Sequence, residues 1–181
     1  MVPTQPVTPS NVTPEVFADL FREHPGGVAV VTADAGGGPV AMTVTSVSSV
    51  DVSPPILMFS VSGRSSSAPT IRAARTVVVH LLDADDVEIA KLAATHGVDR
   101  FADNSSWSRL PTGEPRYHGT RAWIRGMPVA SMDAGDATII AVWALEAGTA
   151  EGKSAAPLVY HARTWHGLGE HSRLDRPSGQ D

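Results

Sequence analysis

Val28-Ala29-Val30-Val31-Thr32-Ala33-Asp34-Ala35-Gly36-Gly37-Gly38-Pro39-Val40-Ala41-Met42-Thr43-Val44-Thr45 is the stretch on which the fold turns. A short β-branched run enters a glycine turn, and an alternating run leaves it. Val40, Met42 and Val44 fall on one side and Thr43 and Thr45 on the other. Two such runs around a turn spell a β-hairpin. The three glycines precede a strand rather than a helix, so they lack the context of a dinucleotide-binding loop. The second strand is expected to continue to Val52, where Ser53-Pro54-Pro55 breaks it, because proline brings no N–H to a ladder. Ile56-Leu57-Met58-Phe59-Ser60-Val61-Ser62 begins apolar on both faces and reads as a central strand.

Upstream, Thr13, Pro14 and Glu15 announce a helix: a hydroxyl at the N-cap, proline at the first position, an acid in the first turn. Val16, Phe17, Leu20 and Phe21 form its one apolar face, and His24-Pro25-Gly26-Gly27 stops it. Downstream, Gly63-Arg64-Ser65-Ser66-Ser67-Ala68-Pro69-Thr70 is a polar loop opening a short helix over residues 71–75. A strand over 76–82 follows, then a helix over 83–96 with Asp83, Asp85 and Asp86 in its first turn. Residues 97–118 read as loop. Strands are expected over 120–132, 136–147 and 157–161, the last followed by Thr164-Trp165. Six or seven hairpin-linked strands without regular strand–helix alternation exclude a doubly wound parallel sheet and fit a small antiparallel barrel with flanking helices. Residues 1–12, punctuated by prolines, are expected to be a flexible arm, 13–168 the domain and 169–181 a flexible tail.

The chain has 181 residues, enough for one domain, and its 42% apolar content supports a core. A net charge of −5 argues against nucleic-acid binding, and 6% aromatic residues are too few for a base-stacking surface. The absence of cysteine removes disulfides, thiolate nucleophiles and iron–sulfur clusters together. No apolar run is long enough to span a bilayer, and Met1 to Asn11 lacks the cationic start and apolar stretch of a secretory signal. A cytoplasmic protein without a membrane partner is therefore expected.

Two hydroxyl runs are the best place for chemistry. Thr43-Val44-Thr45-Ser46 lies at a strand exit, and Arg64-Ser65-Ser66-Ser67 opens a helix. Hydroxyls, backbone N–H groups and a nearby arginine make a phosphate cradle, although such runs also mark turns and exposed strand faces. Among the seven histidines, none is paired at helical spacing, and His161 with His166 lacks an acidic third ligand, so no metal site is expected. His161 stands at a strand end beside Arg163, where a substrate contact would be placed. Asp133 and Asp136 read equally as an acid–base pair or as a turn around Gly135. Gly-x-Ser-x-Gly, His-Glu-x-x-His and the phosphate loop ending in Gly-Lys-Ser/Thr are all missing.

Taken in order, these motifs resemble the short-chain flavin reductases, the FMN-binding split barrels that are reductase components of two-component monooxygenases. The resemblance covers residues 13–168. Gly27-Val28-Ala29-Val30-Val31-Thr32 is similar to the opening strand. Ala41 to Val50, ahead of Pro54-Pro55, resembles the block Gly-Met-Thr-Ala-Ser-Ser-Phe-x-Ser-Val. Ser62-Gly63-Arg64-Ser65-Ser66-Ser67 resembles the flavin-phosphate loop and Arg100-Phe101 the Lys/Arg-Phe pair. Ala134-Gly135-Asp136, with Thr138-Ile139, resembles the Gly-Asp-His-Thr turn, and Pro157-Leu158-Val159-Tyr160-His161 the closing Pro-Leu-x-Tyr-His. The resemblance implies a six-stranded antiparallel Greek-key split barrel and a homodimer. It implies NAD(P)H-dependent reduction of FMN, or FAD, by hydride transfer, with reduced flavin passing to a partner monooxygenase by diffusion. Thr43, Thr45 and Ser46 would hydrogen-bond the isoalloxazine and ribityl chain, and Ser65, Ser67 and Arg100 would hold the phosphate. Val44, Ser60, Arg64, Ser66 and Phe101 would complete the cofactor site. Asp136, His161 and Arg163 would lie on the nicotinamide side, with NADH or NADPH as donor and no side chain required as acid or base.

Three residues depart from the family pattern. Ala137 stands where the turn usually carries His, Val47 where an aromatic follows the flavin block, and His80 where the strand usually reads Val-Asn-Val. They keep a second reading open: a split-barrel protein that binds flavin, deazaflavin or heme without nicotinamide-dependent reductase activity.

Overall fold

A computed structural model describes residues 12–150 and 156–174. Most of the expected arm (residues 1–11) and the end of the expected tail (residues 175–181) lie outside the described residues; within that tail Glu170–Ser172 form one 3₁₀ turn. Helix α1 (Pro14–Arg22) starts as its sequence dictates, the Thr13 hydroxyl accepting from the Val16 N–H at 3.3 Å. After the two-residue strand β1 (Gly26–Gly27), strands β2 (Ala29–Asp34) and β3 (Pro39–Val44) form the hairpin, with Val31 opposite Met42. The Asp34 carboxylate fastens its turn by accepting from the N–H groups of Gly36 and Gly38 at 2.8 and 3.1 Å.

The expected single strand from Pro39 to Val52 is two. The chain leaves the ladder after Val44 and resumes as β4 (Ser48–Val52), which pairs with β5 (Pro55–Ser62) instead of β2. Helix α2 (Ala68–Ala73), strand β6 (Val77–Leu81), a 3₁₀ turn and helix α3 (Val87–Ala94) follow. The stretch read as loop holds a small hairpin, β7 (Trp107–Arg109) and β8 (Pro115–Tyr117). Two long strands, β9 (Ala122–Ala134) and β10 (Ala137–Thr149), and a last hairpin, β11 (Leu158–His161) and β12 (Thr164–Gly167), complete the fold.

The principal sheet is antiparallel throughout, in the order β3-β2-β6-β9-β10-β5-β4. The mainly-β antiparallel architecture with flanking helices is thus the one the chain adopts. The sheet carries seven strands, and it curls until its β3 end meets β5 through Ser46 and Ser60 rather than through a ladder. Strand β5 is one place from the edge, not central. Its alternate residues Leu57, Phe59 and Val61 enter the core while Met58 stays exposed, so apolar character on both faces marks an apolar outer surface here.

Two apolar clusters share β2. Ala29, Val31 and Ala33 face the inside of the curl with Phe59, Ile71 and Val142. Val28 and Val30 face outward to Leu82, Ala90, Phe101 and Tyr117. His80 lies in this outer layer and is fully buried. The Tyr117 N–H donates to its Nε2 at 3.1 Å, so the proton sits on Nδ1 and is donated to the Val30 carbonyl at 3.0 Å. Burial pushes its pKa down from the ordinary 6.5 to about 4.

The unfolded chain takes up that proton near pH 6.5 and the folded chain only near 4, so this contribution to stability is complete above 6.5 and declines as pH falls through the window. His80→Asn is expected to shrink the stability difference between pH 7 and pH 5 by about 2 kcal/mol, read from urea unfolding at the two pH values. An unchanged difference would contradict a neutral, buried His80.

Candidate functional site

The break between β3 and β4 is what creates the site. Thr45 and Ser46 leave the ladder and remain exposed at the seam of the curled sheet. Ser46 Oγ accepts from the Ser60 N–H and the Ser60 hydroxyl, both at 2.9 Å, which leaves its own proton to donate. The Thr45 hydroxyl has no hydrogen-bond partner among the described residues. Strand β1 passes so close that a Cβ on Gly26 would sit 2.8 Å from the Thr45 Cβ, a separation only glycine permits.

From this seam an open groove runs in both directions. Its middle, about 240 Å³, is lined by Thr43, Thr45, Ser46, Ser60, Ser62 and Ala137. One end, about 450 Å³, shares Met42, Thr43 and Ser62 with the middle and adds Arg64, Ser65, His96 and Arg100. The other end, about 760 Å³, shares Thr45 and Ser46 and is walled by Gly26, Phe21, Tyr160, His161 and Arg163. The two hydroxyl runs, some twenty residues apart in sequence, therefore line one continuous cleft.

Within this cleft the expected residues play different parts. Thr43 donates to the Ala90 carbonyl of α3 at 2.6 Å, so its hydroxyl oxygen can act in the groove only as an acceptor. Val44 is buried in the inner core and offers the groove only its backbone. Ser65 is half-buried at the groove, whereas Ser66 is exposed and lines none of the three compartments. Ser67, 1% exposed, donates to the Ala41 carbonyl at 2.8 Å, and its oxygen lies 3.5 Å from Arg100 Nη1. Its hydroxyl proton is spent on the scaffold.

Arg100 caps α3, giving Nε to the Ala93 carbonyl at 3.1 Å and Nη2 to that of Thr95 at 2.7 Å. With the Ser67 contact, three of its five N–H groups are engaged, and the side chain lines the groove end. Phe101 turns the other way, stacking on Tyr117 with centroids 5.3 Å apart in the outer core, so it supports Arg100 from behind. The Tyr117 hydroxyl, its pKa pushed up to about 12 by burial, donates to the Arg100 carbonyl at 2.7 Å.

Asp136 stands with the arginine end of the groove. Its carbonyl accepts from the Gly63 N–H at 2.7 Å, and its carboxylate lies 3.8 Å from Arg64. A Cβ on Gly63 would come within 2.6 Å of that carbonyl, so glycine is what lets the serine loop meet the β9–β10 turn. His161 and Arg163 line the opposite end, and no contact joins Asp136 to them among the described residues. His96 at one end and Phe21 at the other line the groove without any signal in the sequence, and Met42, Ser62 and Tyr160, which lie inside the quoted motifs, join them as walls. Periodicity marks such residues as core or turn, and only the curl of the sheet turns them into walls.

The arrangement suits an elongated ligand with an anionic end. Two guanidinium groups and Ser65 meet the charge, while exposed hydroxyls in the middle offer both donors and acceptors. The flavin reductase like domain profile matches residues 21–169. The chain is 40% identical over 165 residues to the NADH:FMN oxidoreductase of Rhodococcus qingshengii, covering 88% of this chain and 86% of that protein. The crystal structure of a flavin reductase domain protein from Arthrobacter sp. FB24 superposes with a TM-score of 0.82 at 28% identity, covering 90% of this chain and 98% of that one. BorF, the flavin reductase component of a bacterial two-component tryptophan halogenase, superposes with a TM-score of 0.77 at 28% identity, covering 86% and 98%.

Ser67→Ala orphans the buried Ala41 carbonyl and is expected to cost about 1–2 kcal/mol of stability in urea unfolding, whereas Ser65→Ala costs less than about 0.5 kcal/mol. Equal losses would show that Ser67 is not the structural serine.

Proposed function

The chain belongs to the flavin reductase like domain family, and from that premise we propose that it is an NADH:flavin oxidoreductase that reduces FMN and supplies it to a separate monooxygenase. The observation that carries this reading is the continuity of the groove: Arg64, Ser65 and Arg100 at one end, Thr45 and Ser46 at the seam, and a wide compartment beyond. The donor set fits the tail and edge of a flavin mononucleotide. When bound, the isoalloxazine supplies the redox chemistry, accepting a hydride at N5 from nicotinamide C4.

The chain's residues bind and orient. Ser65 and the free N–H groups of Arg64 and Arg100 neutralise the phosphate, with Ser67 holding Arg100 rather than touching the ligand. Thr43 accepts, Ser46 donates, and Thr45 does either along the ribityl chain and ring edge. His161 and Arg163 meet the donor in the wide compartment, and Ala137 presents only a methyl group to the middle. Positioning is the whole contribution, so no acid or base need be supplied. FAD and NADPH remain within this reading as alternatives to FMN and NADH.

A homodimer and a cytoplasmic location complete the reading. Along β5, β10 and β9 the outer face of the sheet exposes Met58, Met127, Met132, Trp143 and Leu145, and the register sets Trp143 opposite Met127 and Ile139 opposite Met132. A contiguous apolar face beside the groove supports burial against a second copy. No helix among the described residues is long and apolar enough to cross a membrane.

Anaerobic titration of the protein and FMN with NADH is expected to bleach the oxidised-flavin absorbance at catalytic protein concentrations. Bound flavin that NADH leaves unbleached would instead make the chain a flavin carrier. Arg64→Gln combined with Ser65→Ala is expected to raise KM for FMN at least about tenfold, from loss of hydrogen bonds to a charged group, and to leave KM for riboflavin within about twofold. Equal effects on both flavins would remove the phosphate from that end of the groove.

A further inference from the structure

The arginine end of the groove has an acid built in behind it. Gly135 and Asp136 form the two-residue turn between β9 and β10, with Ala134 opposite Ala137, and Ala137 opposite Ser62 of β5. We infer that Asp136 sets the discrimination between FMN and unphosphorylated riboflavin: its carboxylate opposes the phosphate and lowers the affinity for FMN alone. For the ligand's identity this rests on the reductase reading.

Backbone, more than side chain, fixes where this charge stands. Gly135 takes a φ of 63° at the turn, and the Gly63 N–H donates to the Asp136 carbonyl at 2.7 Å. The carboxylate lies close over the serine loop, since a Cβ on Gly63 would come within 2.9 Å of its Oδ1. From there Oδ2 is 3.8 Å from Arg64 Nε. Asp136 lines none of the three compartments, but Arg64 beside it lines the groove end and Ala137 after it lines the middle. It therefore acts on a ligand through its field and not by contact.

The local charges give that field its effect. Arg64 and Arg100 are the guanidinium groups at this end, with His96 beside them. A phosphate monoester carries about −1.5 to −2 at pH 7. Arg64 is already facing a carboxylate before such an anion arrives, so the phosphate must share it. Asp133, the other acid at this end of the hairpin, is engaged elsewhere. It accepts from the Thr138 hydroxyl at 2.9 Å and faces Arg72 at 3.7 Å.

Folding gains little from the Arg64–Asp136 pair. The two side chains are 90% and 76% exposed, and an ion pair in that much water contributes little to stability. Its influence falls instead on the anion that enters beside it. A protein that hands on reduced flavin must let it go, and an acid behind the phosphate end keeps the flavin exchangeable. Riboflavin has no phosphate and does not feel the opposition. The opposite role, orienting Arg64 for the phosphate, predicts the opposite sign, because removal of Asp136 would then weaken FMN.

The full-length chain is titrated with FMN and with riboflavin, with binding read from flavin fluorescence. Asp136→Asn is expected to tighten FMN about three- to tenfold and to leave riboflavin within about twofold. The gain falls below about twofold in about 0.5 M sodium chloride, where screening shortens the reach of the charge to a few ångströms. Asp136→Ser, a second turn-forming residue without charge, matches Asp136→Asn, whereas Asp136→Glu stays within about twofold of wild type for both flavins. Weaker or unchanged FMN binding in both uncharged variants, equal effects on the two flavins, or a gain that survives the salt would overturn the assignment. Wild-type protein that binds neither flavin would overturn it together with the reductase reading. FMN affinity that follows the charge at position 136 in a protein unable to oxidise NADH would uphold the assignment and reject the reductase reading alone.

Discussion

Burial of both faces of β2 is the constraint on which the rest of the structure depends. A strand with solvent on one side needs one apolar face; a strand between two layers needs two, and residues 28–33 supply them. The inner face closes against the curled sheet, and the outer face calls for a second layer built from α3, β8 and the Arg100–Phe101 segment. Two polar groups caught between the layers are paired. The Thr32 hydroxyl donates to the Pro115 carbonyl, and His80 bridges the Val30 carbonyl and the Tyr117 N–H. An unpaired donor at this depth would cost about 1–3 kcal/mol.

That outer layer is also what stiffens one wall of the groove. From His80 the support passes to Tyr117, from Tyr117 to the Arg100 backbone and the Phe101 ring, and from Arg100 to Ser67 and the end of α3. Thr43 ties β3 to α3 from the other side. Side chains in the groove are thereby held by neighbours that are themselves buried, the condition for holding a ligand within a fraction of an ångström.

The two walls of the groove differ in kind. The β3 wall grows out of the core, whereas α1 lies on the surface and is joined to the β11–β12 turn, among the described residues, by one backbone hydrogen bond and a 3.5 Å contact between His161 and Glu23. Few buried apolar contacts mean a low free energy for local movement. A cleft with one rigid side and one lightly attached side suits a protein that must hold one molecule in register while others enter and leave.

Local chemistry was legible in the sequence. The Thr13 cap, the hairpin closed by Asp34 and the glycines, the antiparallel β character and the two hydroxyl runs all depend on neighbours within a few residues. The tertiary structure alone decided which way each side chain faces. Ser65 and Ser67 are indistinguishable by spacing, yet one opens to the groove and the other is locked to Ala41. The Arg100–Phe101 pair splits between groove and core, and Asp136 goes to Arg64 instead of His161. The strand expected to run from Pro39 to Val52 breaks because β5, not β2, captures its second half. These outcomes are set by partners distant along the chain, and a residue's periodicity carries no information about which of two buried surfaces it will meet.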